Sequence, residues 1–271
     1  GDELIAYEDS HVLFAEVGGP AAHSGVQAKP IKAPAGIFSA EDVRNAYRFN
    51  KGAHFPITKL LAVENTTNMG GGCAWPVDGI DSVVDAAKEL KLKTHLDGAR
   101  LFNAVVKEGY SPERAASQFD TVTLCLSKGL GCPVGALLAF DDSHLERVRR
   151  LKQLMGGAMR QSGILAAAGI YALDNHIERL QDDHNNAFRF AKRVKEEIPV
   201  LEVENFPPAT NMIFFKLAIS SMTPEQFLID CEQRGVRFSH ADANRFRAVT
   251  HLDISQSDID SAIDILKAVV A

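Results

Sequence analysis

The sequence is short of tryptophan and cysteine, of long apolar runs and of positive charge. Tryptophan occurs once and cysteine four times in 271 residues. Cys73, Cys125, Cys132 and Cys231 form no Cys-x-x-Cys pair. Their spacing suits neither a metal site nor a disulfide framework. They read as buried or free thiols in a reducing compartment, which points to the cytoplasm. No ligand cluster suggests a metal. No apolar run reaches the ~18 residues that a membrane helix needs. The net charge of −6 and pI of about 5.9 leave no basic face, so nucleic acid is not an expected partner. A few local Lys or Arg side chains could still hold an anionic cofactor. Nucleotide loops are absent too. Gly70-Gly71-Gly72 lacks the Gly-Lys-Ser/Thr that wraps a triphosphate, and Ser127-Lys128-Gly129 has the wrong order. The start, Gly1-Asp2-Glu3-Leu4, is acidic and has no initiator Met. It reads as the interior of a longer protein rather than as a leader.

What is present is an ordinary globular composition, 46% hydrophobic and 24% charged, which argues against a disordered chain. The length suits one large domain and a smaller one. Leu60 to Val63, Thr94 to Asp97, Val122 to Leu126 and Val134 to Phe140 read as strands. Ile80, Val83, Val84, Ala87 and Leu90 fall at helical spacing, and Leu101 to Glu108 reads as a helix. Strands alternating with helices predict an α/β fold with a mostly parallel sheet. From about Asp142 to Ile198 the pattern is almost wholly helical. A small α+β unit follows, with strands at 200–203, 212–217, 236–239 and 247–252 and a helix at 224–234. Ser255-x-x-Asp258 is a capping signature for a last helix. The expected domains are 1–185, ending in connecting helices, and 186–271.

In open α/β sheets the site lies at the carboxyl ends of the strands. Three polar or glycine-rich loops follow predicted strands there: Glu64 to Asn68, Asp97 to Arg100 and Ser127 to Gly131. Lys128 is the sharpest candidate. At the end of a buried strand its amine would lose solvent, and desolvation makes a lysine a usable nucleophile for a Schiff base. A surface lysine in a glycine turn would read the same way. Asp97 also ends a strand, one helix and one strand earlier, which is the spacing of one crossover unit. It could pair with a protonated ring nitrogen, or simply cap a helix and pair with Arg100. Arg160, in the glycine-rich stretch Gly156 to Gln161, could contact a phosphate. Arg247, Val249 and His251 fall on one face of a strand, where an Arg usually seeks a carboxylate. Internal salt bridges would account for either arginine equally well.

Together these segments resemble the L-threonine aldolase family, within the aspartate-aminotransferase-like fold of pyridoxal-phosphate enzymes. The resemblance rests on Ser10-His11-Val12 with Glu16, Ser24-Gly25-Val26, Glu64-Asn65-Thr66, His95 to Arg100, Ser127 to Leu130, Gly156 to Gln161 and Arg247 to His251. It implies pyridoxal 5'-phosphate on Lys128, Asp97 at the ring nitrogen, Arg100 near the ring oxygen and His11 against the ring face. Arg247 would hold a substrate carboxylate. Arg160 would reach a phosphate in a neighbouring subunit of a homodimer or homotetramer with shared sites. The implied reaction is retro-aldol cleavage of L-threonine or L-allo-threonine to glycine and acetaldehyde.

Three departures qualify the resemblance. Thr67 stands where the family often has a histidine near the substrate β-hydroxyl, so His11 or a water would have to act as base. Gln153 stands where a lysine is frequent. The family's N-terminal segment, which carries a phosphate-cradling turn, is missing before Gly1. A β-eliminating lyase or an amino-acid racemase on the same scaffold therefore remains an alternative, as does a non-catalytic fragment.

Overall fold

The computed structural model describes residues 1–49 and 52–271. The chain divides into two compact units, Gly1–Ile177 and Glu178–Ala271. The first unit is built on a six-stranded sheet. Its strands are β1 (Asp2–Tyr7), β2 (Gln27–Ile31), β3 (Ile57–Glu64), β4 (Lys93–Gly98), β5 (Thr121–Cys125) and β6 (Ala136–Phe140). Their order is β2-β1-β3-β4-β5-β6. Five strands run parallel and β6 pairs antiparallel to β5.

Two of these strands are not evident in the sequence. β1 is buried along almost its whole length, so Leu-Ile-Ala-Tyr shows no alternation of polar and apolar residues. β2 contains Lys29 and Pro30, which read as loop residues but are tolerated at a sheet edge.

The sheet holds together because its strands are apolar on both faces. Ile5, Leu61, Val63, Leu96 and Val122 pack with Ile80, Val83, Val84 and Ala87 of the helix Val77–Glu89 in the larger core. Leu4, Ala6 and Ala62 form a smaller cluster with Val12 and Leu13. Each strand is followed by a turn, and three of these turns carry the candidate residues.

The second unit is a four-stranded antiparallel sheet with helices. Its strands are β7 (Leu201–Val203), β8 (Met212–Leu217), β9 (Ser239–Asp242) and β10 (Arg245–Val249), ordered β7-β8-β10-β9. The helices Leu180–Glu197, Pro224–Gln233 and Gln256–Val270 accompany them. Ser255 and Asp258 form the expected capping box. The last two strands lie a few residues from their expected bounds. They meet in a tight hairpin at Ala243, whose φ is 35°, and the register shifts between Arg245 and Phe246 just after it. The units divide at Ile177, eight residues before the boundary drawn from sequence.

Candidate active site

Lys128 lies just beyond β5, in a loop fixed at several points. The Leu126 N–H donates to Gly135 O at 2.9 Å, and the Cys132 N–H returns to Leu126 O at 3.0 Å. Between them Gly131 donates to Lys128 O at 2.8 Å, closing a tight turn. Gly131 has φ +72°, which a side chain would oppose. Leu130 is buried, and its carbonyl lies 2.7 Å from His176 Nδ1. β5 ends at Cys125, so the lysine sits on this turn rather than on the strand itself. Its side chain is half-buried. Burial, then the Arg100 guanidinium, pushes the amine below the usual lysine range; Cys125, Asp97 and Glu64 oppose that shift. An amine held this way loses its proton more readily and becomes a better nucleophile.

Asp97 and Arg100 come from the end of the neighbouring strand. β4 and β5 pair through Asp97 and Thr123. Gly98 follows because nothing larger fits: a Cβ there would meet Thr123 O at 2.7 Å. One Asp97 carboxylate oxygen accepts from the Ala99 N–H at 3.1 Å, and its carbonyl accepts from the Asn65 N–H at 2.9 Å. Arg100 then opens the helix Leu101–Glu108, whose first residues are buried. Lys128, Asp97, Arg100 and Glu64 are thereby electrostatic neighbours.

β3 supplies the third loop. Glu64 is paired in register with Asp97 and is almost fully buried. Its carboxylate accepts from two backbone N–H groups, His11 at 2.5 Å and Asn68 at 2.6 Å. Burial pushes its pKa up and the charge of Asp97 adds to this, while the two N–H donors oppose it. Behind it lies a closed polar network. Trp75 donates from Nε1 to Glu64 O at 3.0 Å and from its backbone N to Asn65 Oδ1 at 3.2 Å. Asn65 Nδ2 donates to the Tyr110 hydroxyl, which donates in turn to Trp75 O at 3.2 Å. Burial pushes the Tyr110 pKa to about 12, so the phenol stays neutral.

The remaining candidates fall in different settings. Thr67 is fully buried, with its N–H 2.9 Å and its hydroxyl 3.5 Å from Cys73 O. Gly36 and Gly70 press against it: a Cβ at Gly70 would lie 2.6 Å from the Thr67 hydroxyl and 2.2 Å from Ala35 O. His11 begins the short helix His11–Phe14, and its Nδ1 lies 2.5 Å from Glu16 Oε1. Arg160 stands exposed on the loop between the helices Leu145–Leu154 and Gly163–Asn175. Among the described residues no hydrogen bond or ion pair joins it to the Lys128 cluster. Arg247 belongs to the second unit, on β10, where burial lowers its pKa. β10 stops at Val249, so His251 lies beyond the strand that was expected to carry it. Sequence reasoning assigned no role to Glu64, Asn65, Trp75 or Tyr110. The usable signal was Glu64's position, directly after a strand and beside Asp97.

Residues 1–220 match the model of the beta-eliminating lyase family. The chain belongs to that family. Among its relatives, the low specificity L-threonine aldolase of Escherichia coli K12 is 38% identical over 260 residues, 96% of this chain and 74% of that one. A threonine aldolase of Leishmania major superposes with a TM-score of 0.81 at 21% identity, over 100% of this chain and 78% of that one. A PLP-dependent aminotransferase of Streptococcus suis reaches 0.71 at 17% identity, over 100% and 71%. The fold is thus the α/β fold of the threonine aldolase structures, with its mostly parallel sheet.

Proposed function

We propose that this chain is a pyridoxal-phosphate-dependent threonine aldolase that cleaves L-threonine or L-allo-threonine to glycine and acetaldehyde. The observation that carries this reading is the amine of Lys128, half-buried and flanked by Arg100 and Asp97 at adjacent strand ends. That donor set fits the cofactor. A nucleophilic amine matches its aldehyde, a carboxylate matches a protonated ring nitrogen, and a guanidinium matches a ring oxygen. Lys128, Asp97 and Arg100 would hold it, with His11 against the ring face and Arg160 toward a phosphate in a neighbouring copy. When bound, the cofactor supplies an electron sink for the charge left at Cα as the Cα–Cβ bond breaks.

The chain's own groups do the rest. Lys128 gives up its proton more readily than an ordinary lysine because burial and Arg100 disfavour its charged form. Thr67 cannot remove a proton from the substrate hydroxyl: it is enclosed, and a threonine is no base at neutral pH. His11 is the better base. An ionised Glu16 makes Nδ1 the donor, which leaves the lone pair on Nε2 to take the proton. Arg247 would hold the substrate carboxylate.

We further infer self-association as a homodimer or homotetramer. β6 is an edge strand whose sequence, Ala-Leu-Leu-Ala-Phe, has no charge and no proline. The opposite edge, β2, carries Lys29 and Pro30, which discourage pairing. Leu154, Ile164, Ile170 and Tyr171 on the nearby sequence are also exposed.

The test is the visible absorption of the purified chain with added pyridoxal phosphate, beside a Lys128→Ala control, followed by product analysis with L-threonine. A band absent from the control, with acetaldehyde and glycine as products, supports the reading. Ammonia with a keto acid, or an inverted enantiomer, would assign a different reaction to the same scaffold. No band in either protein would remove Lys128 from a working site.

A further inference from the structure

Glu64 is a buried carboxylate with a cost. It faces a second carboxylate, Asp97, from the adjacent strand, and a hydrophobic residue would close the end of β3 more cheaply. Both of its oxygens are nevertheless used, one on the His11 N–H and one on the Asn68 N–H. The His11 turn has no local alternative. Ser10 precedes its helix in the usual capping position, yet its side chain makes no cap hydrogen bond and its buried hydroxyl has no partner. The first N–H of this helix, that of His11, is instead bonded by a carboxylate from 53 residues away. On the far side of the same residue, the His11 ring is held by Glu16. Two carboxylates therefore set where this imidazole stands, one through the backbone and one through the ring.

We propose that Glu64 is a positioning residue, which ties the His11 turn to the Glu64–Asn68 loop and so fixes the imidazole of His11 at the edge of the Lys128 cluster. This rests on the reading of Lys128 and His11 given above. Glu64 acts through a backbone amide and needs no contact with substrate. The charged or titratable groups that face it are Asp97, His11 and Lys128.

The test begins without cofactor. In the 15N-labelled chain the His11 and Asn68 amides exchange slowly with solvent. Glu64→Gln keeps the shape but has one acceptor oxygen for two donors. Exchange then rises about tenfold or more at one or both amides, while Leu61 and Val63 of β3 are unchanged. Titration with pyridoxal phosphate next shows weaker binding, by about tenfold, with the Lys128 band still formed. Unchanged exchange at both amides would overturn the proposal. So would faster exchange with unaltered cofactor binding, which would make Glu64 a brace for the loop alone. If the variant does not fold, the unmodified chain decides. Its His11 and Asn68 amide resonances must shift together with the Glu64 carboxyl as pH is lowered; separate midpoints would overturn the idea. A wild-type chain that takes up no cofactor would sink the reading of Lys128, and the amide measurements would then judge Glu64 by themselves.

Discussion

At Lys128 burial and a neighbouring guanidinium act against a single positive charge, and two carboxylates and a thiol act for it. The first pair wins, so the folded state holds this proton less tightly than the unfolded chain, where the ordinary value is 10.5. The sign of the linkage follows. Below the folded midpoint both states are charged and the burial penalty is complete. Between the folded midpoint and 10.5 the unfolded chain binds more protons, so stability rises with pH and the penalty fades. Lys128→Met removes the charge and keeps much of the stem. It is expected to unfold at higher denaturant than the wild type at neutral pH, with the gap closing as pH approaches 10.5. Urea titrations at three pH values measure this; a gap that does not depend on pH would mean the lysine is solvated.

Among the elements, the turns after the strands carry the tightest constraints. Gly98→Ala puts a methyl 2.7 Å from a backbone oxygen that cannot move without breaking the β4–β5 ladder. About 1–3 kcal/mol of destabilisation is expected, read from denaturant midpoints. Gly131→Ala must hold φ +72°, at a cost of about 1–2 kcal/mol. Because that turn bears Lys128, this variant is also expected to bind pyridoxal phosphate more weakly, which absorbance titration measures. In the second unit, Arg189, Arg193 and Lys267 join Glu197 and Asp260, tying the helix Leu180–Glu197 to the helix Gln256–Val270. The bonds to Arg193 and Lys267 push the Glu197 pKa down to about 2. The stability it adds is present above its unfolded value of 4.5 and is lost as pH falls toward 2. Glu197→Gln should therefore lower the melting temperature at pH 7 and leave it unchanged near pH 2, and added salt should shrink the difference.

Across the whole first unit, the uneven treatment of the two sheet edges is the property most open to experiment. One edge is guarded by Lys29 and Pro30 and the other is bare and apolar. Leu138→Lys on β6, or Ile164→Glu on a residue 82% exposed, removes apolar surface without entering the core. On the proposed self-association through this edge, either change shifts the chain toward monomer in sedimentation equilibrium while its circular dichroism holds. An unchanged mass for both variants would move the contact surface elsewhere.

The sequence by itself determined the α/β class, the antiparallel character of the small unit's strands being the exception. It also singled out three post-strand loops and, in two of them, the candidates Lys128, Asp97 and Arg100. These are local matters: apolar periodicity marks strands, and glycines and polar residues mark where strands must stop. Only the tertiary structure decided that β1 and β2 join the sheet, because a strand buried on both faces shows no alternation and an edge strand tolerates proline. It alone decided that Thr67 is walled in by Gly36 and Gly70, whose closeness comes from chain segments far apart in sequence. Glu64's part was also invisible beforehand. A carboxylate's partners are set by which backbone N–H groups the fold brings within reach, and His11 arrives there from the turn after β1, the strand beside β3.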